Sequence, residues 1–464
     1  MIASEDIHTI FFLGIGGIGM SGLARYFATV HGVRVCGYDR TPSPLTHELE
    51  AEGMTVGYED RAEWVKGLGL HPDDTLVVRT PAVPADSAVY TYLREQGFDI
   101  RKRAEVLGLV TRHKRALCVA GTHGKTTTST MIAHVMNGAG VNAFLGGISM
   151  NYNTNVLIAP ESEYVVVEAD EYDRSFHQLT PYMSVITAVD PDHLDIYGTP
   201  EAYREAFEHY TSLITGALVI KHGLPIQPRL QPGVKQYTYG MTPEADFHAA
   251  NIRVADEQIT FDLHTPDEVV ADIRLGVPVW VNIENSVAAM AVAWLNGVKA
   301  DVLRERMASF RGVQRRFNIH VSSPRVVYID DYAHHPDEIA TSIDSVRRLY
   351  PERRLTGVFQ PHLFTRTRDF AEGFAQVLST LDEVVLLPIY PARELPIAGV
   401  TSEMLAERIQ AKGNKNVCVV EKKELVERLT KRVAESREPL VVMTIGAGDI
   451  DRFVLQLTEE LGHG

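Results

Sequence analysis

The chain has 464 residues, of which 45% are hydrophobic and 23% are charged. These proportions are ordinary for a soluble globular protein and exclude collagen-like, disordered and low-complexity classes. Acidic residues outnumber lysine and arginine by 60 to 45, which gives a net charge of −15, and no strongly basic segment indicates a general nucleic-acid binder.

The cysteines and the apolar segments do not indicate a secreted or membrane-spanning protein. Cys36, Cys118 and Cys418 lie far apart beside apolar, strand-like residues, so we expect buried free thiols in a reducing compartment. No apolar stretch reaches the roughly 18 residues that span a membrane, and the first residues lack the pattern of a secretory signal. We therefore expect a cytoplasmic protein that binds neither nucleic acid nor membranes.

The first block of the chain opens with a strand, a glycine turn and a helix. Residues 8–14 predict the strand and Met20–His31 the helix. The GxGxxG turn between them lets the backbone approach a diphosphate, and the helix N-terminus supplies free N–H groups. Asp39 ends the next strand, where an acidic residue binds ribose in dinucleotide-binding folds. The pattern predicts a nucleotide-diphosphate site and leaves the nucleotide open, NAD included. The turn consists of Gly14, Ile15, Gly16, Gly17, Ile18 and Gly19.

A second strand, residues 115–121, also leads through a glycine-rich loop into a helix. Backbone N–H groups there can surround phosphates, Lys125 can reach the terminal phosphates, and the Thr126 hydroxyl can bind Mg²⁺. The loop is shorter than a full P-loop because Val119 stands where that pattern has glycine. We expect it to bind a nucleoside triphosphate. The loop residues are Gly121, Thr122, His123, Gly124, Lys125, Thr126 and Thr127.

Acidic residues follow two further predicted strands, residues 163–170 and 183–190. Glu168 and Asp170 lie at the end of the first, Glu171 directly follows it, and His193 follows the second between aspartates. Strand ends of this kind lie at the carboxyl edge of a parallel sheet, where α/β proteins bind ligands. Adjacent carboxylates repel one another unless a cation is present, and Mg²⁺ on a bound nucleotide is the natural candidate.

The strand and helix pattern predicts an α/β protein with parallel sheets in three blocks. Residues 235–277 depart from it, because three short strands with little helix between them predict a small antiparallel patch on the second sheet. The third block resumes the alternation. The predicted domains are residues 1–107, 108–320 and 321–464.

The third block carries acids, histidines and arginines after its first strands. Residues 330–336 read DDYAHHP, and residues 359–368 contain a histidine and two arginines. Arginine suits a carboxylate or phosphate because its guanidinium can bind either group bidentately. These residues predict a site for an anionic substrate. Arg315 and Arg316, at the junction with the second block, fit either a phosphate contact across a cleft or a solvated pair.

Taken together, the motifs resemble the Mur ligases, the ATP-dependent amide-forming ligases of peptidoglycan synthesis, over essentially the whole chain. The resemblance implies a Rossmann-like N-terminal domain that binds a UDP-sugar rather than NAD, a central P-loop ATPase and a Rossmann-like C-terminal domain. The first two motifs resemble those of the member that adds L-alanine to UDP-N-acetylmuramate. The matching segments are GIGGIGMSGLA, GTHGKTTT, EADEYDRSF, DHLDIYG, NIEN, RRF, DDYAHHPDE and FQPHLFTRTRDF.

The resemblance also implies a role for each candidate residue. The substrate carboxylate would take the γ-phosphate of ATP, and the amine would then displace phosphate from the acyl phosphate. The residues from Gly14 to Gly19, with Asp39, would hold the UDP-sugar. The resemblance implies that Lys125 and Arg316 bind phosphate, that Thr126 and Glu168 hold a first Mg²⁺, and that His193 holds a second. Adenine would be bound by Asn285, which matches the family better than Asn282 does, and the amino acid by Tyr332, His334 and Arg366. The implied catalytic residues are Lys125, His193, Arg316 and His334.

Two departures from the family pattern narrow these expectations. Several relatives carry a carbamylated lysine after the metal histidine, but residues 194–220 contain no lysine and Glu208 stands near that place. Leu363 replaces an arginine that often follows Pro-His, so Arg366 or Arg368 would have to bind the carboxylate. The alternatives are a recycling ligase that adds a preformed tripeptide, an NAD-dependent oxidoreductase and a non-catalytic NTP switch.

Overall fold

The computed structural model describes residues 7–80, 82–392 and 394–462. It confirms an α/β protein with three mainly parallel sheets. The contacts divide the chain into two compact units. The first unit takes in the chain up to Ala250, together with Asp262–Ala271 and Glu284–Phe310, and the second takes in Asn251–Phe261, Asp272–Ile283 and the chain from Arg311 onward.

The first sheet has five strands and lies in the first unit. Its strands are β1 (Thr9–Leu13), β2 (Arg34–Tyr38), β3 (Thr55–Gly57), β4 (Thr75–Arg79) and β5 (Asp99–Lys102). Its helices are α1 (Ile18–Tyr26), α2 (Pro44–Ala51), α3 (Ala62–Gly67), α4 (Ala88–Glu95) and α5 (Arg103–Arg112). The order is β3-β2-β1-β4-β5, parallel throughout. β1 is buried along its whole length, as continuous apolar sequence predicts for a strand covered on both faces. The predicted helix after the glycine turn is confirmed, although Phe27–His31 form a π-helix.

The second sheet has ten strands, and every one contributes residues to the first unit. They are β6 (Arg115–Ala120), β7 (Asn142–Ser149), β8 (Thr154–Leu157), β9 (Tyr164–Ala169), β10 (Pro181–Ile186), β11 (Ala217–Lys221), β12 (Lys235–Gly240), β13 (Phe247–Ala255), β14 (Gln258–His264) and β15 (Val269–Arg274). The helices are α6 (Lys125–Met136), α7 (Leu194–Tyr197), α8 (Pro200–Thr211), α9 (Val281–Leu295) and α10 (Ala300–Ser309), with 3₁₀ turns at Asn137–Ala139 and Tyr172–Gln178. The order is β15-β14-β13-β12-β11-β10-β6-β9-β7-β8.

The antiparallel patch is present but starts one strand later than predicted. β12 was expected in the patch, yet it pairs parallel with β11. The patch includes β13, which the sequence analysis did not identify. β13 and β14 are adjacent in the sheet and are joined by Asp256 and Glu257, both at positive φ. Positive φ at both central residues is the type I′ geometry of a tight antiparallel hairpin.

The third sheet lies in the second unit. Its strands are β16 (Asn318–Ser322), β17 (Val326–Asp331), β18 (Arg354–Phe359), β19 (Glu383–Leu386), β20 (Val417–Val419) and β21 (Leu440–Ile445). Its helices are α11 (Pro336–Leu349), α12 (Phe364–Asp369), α13 (Ala371–Leu378), α14 (Ser402–Ala411), α15 (Leu425–Glu435) and α16 (Val454–Gly462), with 3₁₀ turns at Lys422–Glu424 and Asp449–Phe453. The order is β16-β17-β21-β18-β19-β20, and only β16 pairs antiparallel.

Within the first unit, the layers around the first two sheets share one hydrophobic core. That core runs from Phe12 and Leu23 through Phe144 to Val167 and Phe207, all at most 8% exposed. α1 therefore packs directly against β7 and β8. A Cβ added at Gly22 would stand 3.6 Å from the Phe144 ring, an ordinary contact, and 3.3 Å from the Asn155 amide, which would have to shift slightly.

The cysteine prediction is confirmed for the free thiols and for the burial of two of them, and the reducing compartment stays a prediction. Cys36 and Cys118 are buried and Cys418 is half-buried, and all three are free thiols. Burial raises the pKa of the Cys36 and Cys118 thiols to about 12. Both are therefore inert, protonated core residues. None of the described helices has the length and apolar character that crossing a membrane requires.

Candidate active site

A cavity of about 360 Å³ lies inside the first unit, between the glycine turn before α1 and the end of β9. The turn contributes Gly17 to Gly19, and β9 and the residue after it contribute Glu168 and Asp170. Arg103 and Asn155, which the sequence analysis did not select, also line it. The cavity thus brings the predicted diphosphate turn and the predicted metal carboxylate to one space.

The glycine turn is held in place by Asp39. The Asp39 carboxylate accepts a hydrogen bond from the Gly16 N–H at 2.8 Å and another from Thr41 N–H at 3.2 Å. Gly14 has φ +88°, a conformation that favours glycine. Asp39 thus supports the turn directly, and the ribose contact expected of it stays a prediction. Gly17 precedes α1 as its N-cap, with no side chain over the helix end.

α1 is anchored to the second sheet by Asn155 on β8. The Asn155 amide donates to the Ile18 carbonyl at 2.5 Å and to Ser21 Oγ at 3.3 Å. Its Oδ1 accepts from Arg25, whose guanidinium also pairs with Glu52 at 2.7 Å. Asn155 is 1% exposed. A buried amide with these partners fixes the start of α1, and with it the glycine turn, relative to β8.

The second glycine-rich loop leads from β6 into α6. Gly124 is the N-cap of α6 at φ +80°, a left-handed conformation that glycine adopts at no steric cost. The Thr122 hydroxyl donates to the Asp190 carbonyl at 2.8 Å, and His123 O accepts from Thr187 Oγ1. Gly121, at φ +137°, leaves no room for a side chain against Thr187. The first N–H groups of α6, which include that of Thr127, have the orientation that binds phosphate.

Lys125 makes a buried ion pair with Glu171. Its Nζ lies 2.7 Å from Glu171 Oε2 and donates to the Gly121 carbonyl at 2.7 Å. Burial lowers the pKa of Lys125, but the fields of Glu171 and Glu168 outweigh it and the net shift is upward. Burial raises the pKa of Glu171 to about 7, although Lys125 acts against that shift. Lys125 is therefore a fully charged ammonium at neutral pH.

Thr126 and Glu168 fit the first predicted magnesium site. Oε2 of Glu168 is buried and has no hydrogen-bond partner in the part of the chain that the structure describes. A Cβ built on Gly146 would stand 2.1 Å from this atom and 2.9 Å from Thr126 Oγ1. Both oxygens therefore face the same small space, which is open because residue 146 has no side chain. Carboxylate and hydroxyl oxygens are ligands that Mg²⁺ accepts.

His193 stands at the N-cap of α7 with φ +52°. Its Nε2 is 3.7 Å from the Asp192 carboxylate, and the Tyr172 ring meets its ring edge-on at 5.1 Å. Among residues 7–80, 82–392 and 394–462, no three His, Cys, Asp or Glu side chains lie close enough together to hold a metal. The second Mg²⁺ at His193 stays a prediction. Glu208, near the place of the relatives' modified lysine, pairs with Arg229 at 2.9 Å.

Asn285 lies beside the nucleotide loop, whereas the side chain of Asn282 bonds the backbone of the segment before α9. Asn285 is 6% exposed, and its Oδ1 accepts from Thr128 Oγ1 at 3.2 Å. A Cβ on Gly124 would lie 2.9 Å from the same oxygen. The Asn282 amide donates to the Val277 carbonyl at 3.2 Å. The preference for Asn285 as the adenine contact is consistent with this placement, and the contact stays a prediction.

In the second unit, the predicted amino-acid-binding residues lie together. The Tyr332 and His334 rings are 5.3 Å apart, and Arg316 stacks on Tyr332 at 4.9 Å. Arg366 lies 3.4 Å from His362, whose ring is 6.5 Å from that of His334. Burial lowers the pKa of His334, Arg366 adds to that effect and Glu338 opposes it. The cluster combines cationic and neutral donors at one place.

Of the two arginines proposed to replace the missing one, Arg366 is the better placed. Arg368 is exposed and bonds its neighbour Asp369 at 2.7 Å. Leu363, the residue that departs from the family pattern, is the N-cap of α12 at φ +69°. Arg315, next to Arg316, donates to the Gly446 carbonyl at 2.7 Å and so serves the internal structure of the unit.

Sequence reasoning missed two residues of these sites, Arg103 and Asn155, and predicted His362 only as part of the anionic-substrate segment, with no role of its own. Arg103 had a usable signal, because it begins α5 at the carboxyl end of β5. Asn155 had no such signal, because its partners are 130 and 137 positions away.

Family models match three successive parts of the chain. Residues 9–115 match the model described as "Mur ligase family, catalytic domain", residues 119–293 "Mur ligase middle domain", and residues 315–448 "Mur ligase, glutamate ligase domain". The chain is 55% identical to the UDP-N-acetylmuramate–L-alanine ligase of Parabacteroides distasonis, over 98% of each chain. It is 52% identical to that of Porphyromonas gingivalis, over 97% of this chain and 98% of the relative.

Two solved structures cover the same length. The UDP-N-acetylmuramate-alanine ligase of Thermotoga maritima is 28% identical, with a TM-score of 0.80 over 98% of this chain and 99% of that one. The murein peptide ligase of Psychrobacter arcticus is 22% identical, with a TM-score of 0.65 over the same shares. At that identity, the second likeness concerns the fold alone.

Proposed function

This chain belongs to the Mur ligase family, and from that premise we propose that it joins L-alanine to the carboxylate of UDP-N-acetylmuramate with the hydrolysis of ATP to ADP and phosphate. This is the first amino-acid addition in the synthesis of the peptidoglycan precursor. The full-length identity of 52–55% to ligases of that name supports the assignment.

The observation that carries the proposal is the shared cavity of the first unit. Gly17 to Gly19 line one side and Glu168 lines the other. A UDP-sugar whose diphosphate lies on the turn can therefore direct its carboxylate toward the phosphates held by the loop before α6. Activity as an NAD-dependent oxidoreductase would not explain the carboxylates on the opposite wall of the cavity. A nucleotide switch would not explain the glycine turn.

The first chemical step needs a stabilised phosphoryl group. An oxygen of the substrate carboxylate attacks the γ-phosphorus of ATP, the bond to the β-phosphate oxygen breaks, and ADP leaves. Lys125 can exchange its pair with Glu171 for the phosphate oxygens, and the α6 N–H groups can donate to the same oxygens. We propose that Arg316 contacts a terminal phosphate as well. The product is an acyl phosphate, whose phosphate is a far better leaving group than a carboxylate oxygen.

We propose that Mg²⁺ is held by Thr126 and Glu168 and that, when bound, it neutralises charge on the phosphates. The orphaned Glu168 oxygen and the space left by Gly146 support this placement. The Asp170 carboxylate lies 3.8 Å from Arg103, and the proposal gives it no part in binding this ion. We also propose a second ion at His193, although no three His, Cys, Asp or Glu side chains among the described residues lie close enough together to hold it.

The second step transfers the amine. The nitrogen of L-alanine attacks the acyl carbon, and the tetrahedral intermediate expels phosphate while the nitrogen loses a proton. We propose that His334 accepts it. Its Nδ1 lies 3.1 Å from the Tyr332 carbonyl, an acceptor, so Nδ1 carries the hydrogen and Nε2 has the free electron pair. The lowered pKa keeps the ring neutral. Arg366 and Tyr332 would bind the alanine.

We further propose domain boundaries near residues 107 and 320 and a cytoplasmic location. The residues matched by the three family models support the boundaries. The free thiols support a reducing compartment.

A product assay tests the proposed function and separates it from the recycling ligase. The protein receives ATP, Mg²⁺ and UDP-N-acetylmuramate with either L-alanine or the recycling tripeptide, and products are identified by mass spectrometry. We expect an L-alanine adduct with one phosphate released per adduct. An adduct with the tripeptide alone would overturn the substrate assignment, and the absence of both adducts from folded protein would overturn the ligase assignment.

Asn155 supplies a test of how the cavity is positioned. We expect Asn155→Ala to raise KM for UDP-N-acetylmuramate by about ten-fold, because two buried hydrogen bonds to the start of α1 are lost. KM for ATP should stay nearly unchanged. Asn142→Ala is the matched control, since Asn142 is an equally buried asparagine on β7 that bonds the Ala159 and Tyr164 carbonyls. Equal increases of the sugar KM in both variants would reduce the effect to general destabilisation.

A further inference from the structure

We infer a second ligand site, for a phosphate-bearing small anion, in the second unit. A cavity of about 460 Å³ opens where β18, β19 and β20 begin, beside α15. Four cationic side chains and two carboxylates line it, which leaves an excess of two positive charges. The charged lining residues are Arg354, Lys415, Arg428, Arg432, Asp382 and Glu383.

The cavity is separate from the amino-acid cluster of the same unit. Arg354 and Glu383 are the first residues of β18 and β19, whereas Tyr332 and His362 follow the ends of β17 and β18. Because these strands are parallel, their beginnings lie at one edge of the sheet and their ends at the other. The proposed function uses none of the residues at the beginnings.

The two carboxylates are already committed to other partners. Asp382 pairs with Arg347 at 2.9 Å and accepts from the Leu355 N–H at 2.7 Å. Glu383 pairs with Arg432 at 2.6 Å. Neither carboxylate has a strong contact left for the other cations of the lining.

Two of the cations are left without a close counter-ion. The nearest carboxylate oxygen to Arg428 is that of Glu383, at 3.9 Å. Lys415 has no hydrogen bond or ion pair with any residue that the structure describes. Arg354 has only a 3.5 Å contact with Glu438, which is 63% exposed. In a protein of net charge −15, these side chains give a local excess of positive charge around an open cavity, and Arg354 and Arg428 are 43% and 44% exposed.

The spacing of the arginines selects the ligand class. Arg428 and Arg432 are four residues apart on α15 and share one face. The Glu383 carboxylate there is 2.6 Å from Arg432 and 3.9 Å from Arg428, so Arg428 is the arginine that keeps its donors for an anion. Guanidinium groups bind phosphate bidentately and with direction. A volume of about 460 Å³ exceeds what a free phosphate fills and is in the range of small-molecule sites. We therefore assign the cavity to an organic phosphate.

The test is a calorimetric titration of full-length protein with inorganic pyrophosphate in metal-free buffer. All samples carry Lys125→Ala, which removes the ammonium of the nucleotide loop. We expect Arg428→Glu to weaken binding about ten-fold, because a charge-assisted contact becomes a repulsion. Lys431→Glu is the matched control on α15: it makes the same charge change at a residue that is 70% exposed and outside the lining. It should change affinity less than about two-fold, because Lys431 does not line the cavity and salt screens its charge over the longer distance.

Two further measurements complete the test. Lys415→Glu should weaken binding as Arg428→Glu does, with both variants shown to be folded by circular dichroism. Ribose 5-phosphate binding tighter than inorganic phosphate, with the same dependence on Arg428, would assign an organic phosphate; equal binding would assign free phosphate. Equal weakening by Arg428→Glu and Lys431→Glu, or no binding that depends on Arg428, would overturn the proposal. None of these results depends on whether the chain is a ligase.

Discussion

Replacing Lys125 with alanine is expected to lower kcat by about a thousand-fold, because the ammonium that would face the transferred phosphoryl group is lost. Lys125 is the first residue of α6, and its Nζ lies 2.7 Å from the Gly121 carbonyl. Its pKa is raised by Glu171 and Glu168 despite burial, so the wild-type group is charged throughout the working pH range. Steady-state ATP turnover in the presence of UDP-N-acetylmuramate and L-alanine measures the loss.

The affinity of the Lys125→Ala protein for UDP-N-acetylmuramate should stay within about two-fold of wild type, because a substitution at one site has little effect on binding at a separate site that shares no contacts with it. The glycine turn belongs to the first sheet and the lysine to the second. Lys114→Ala is the matched control: Lys114 lies just before β6, at its opposite end, and bonds the Ser162 carbonyl at 2.6 Å. Retained turnover in Lys125→Ala would show that the loop is not the ATP site. Parallel loss of sugar binding would show that the two sites are not independent.

The parts of the site that could be predicted are those whose function depends on local backbone geometry. The two glycine turns have fixed spacings because a tight turn and a close backbone approach need glycine at set positions. Glu168 was predicted from its place at the end of an apolar strand, and it does line the cavity. Nothing in the local pattern indicated that Glu171, three residues later, would pair with Lys125. That contact depends on how two neighbouring strands are aligned.

The error in the antiparallel patch has a similar cause. β11 and β12 are joined by residues 222–234, which contain three prolines and no helix. A parallel pair needs a crossover of about a dozen residues. This crossover is irregular, so no helical pattern was present from which to infer a parallel pair. β13 escaped detection because its second half is mostly exposed, and alternation is weak in such a strand.

Replacing Glu168 with glutamine is expected to lower kcat by two to three orders of magnitude, as is typical for loss of one preorganised electrostatic contact. Glutamine keeps the size of the side chain but removes the charge from the buried Oε2, which has no partner among the described residues. The Mg²⁺ concentration for half-maximal activity should rise as well. Glu163→Gln is the matched control, because Glu163 precedes the same strand at its other end and is 61% exposed.

Gly146→Ala tests the same site without altering any charge. Its methyl group would stand 2.1 Å from Glu168 Oε2 and 2.9 Å from Thr126 Oγ1, so it would occupy the space in which the ion is proposed to bind. Mn²⁺ binding followed by electron paramagnetic resonance gives a readout that does not depend on turnover. We expect the wild-type protein to bind Mn²⁺ tightly in the presence of nucleotide, Gly146→Ala and Glu168→Gln to lose that signal, and Glu163→Gln to keep it. If Gly146→Ala bound Mn²⁺ normally, the oxygens of Thr126 and Glu168 would not share an ion, and the unpaired Glu168 oxygen would need another partner in the assembled complex.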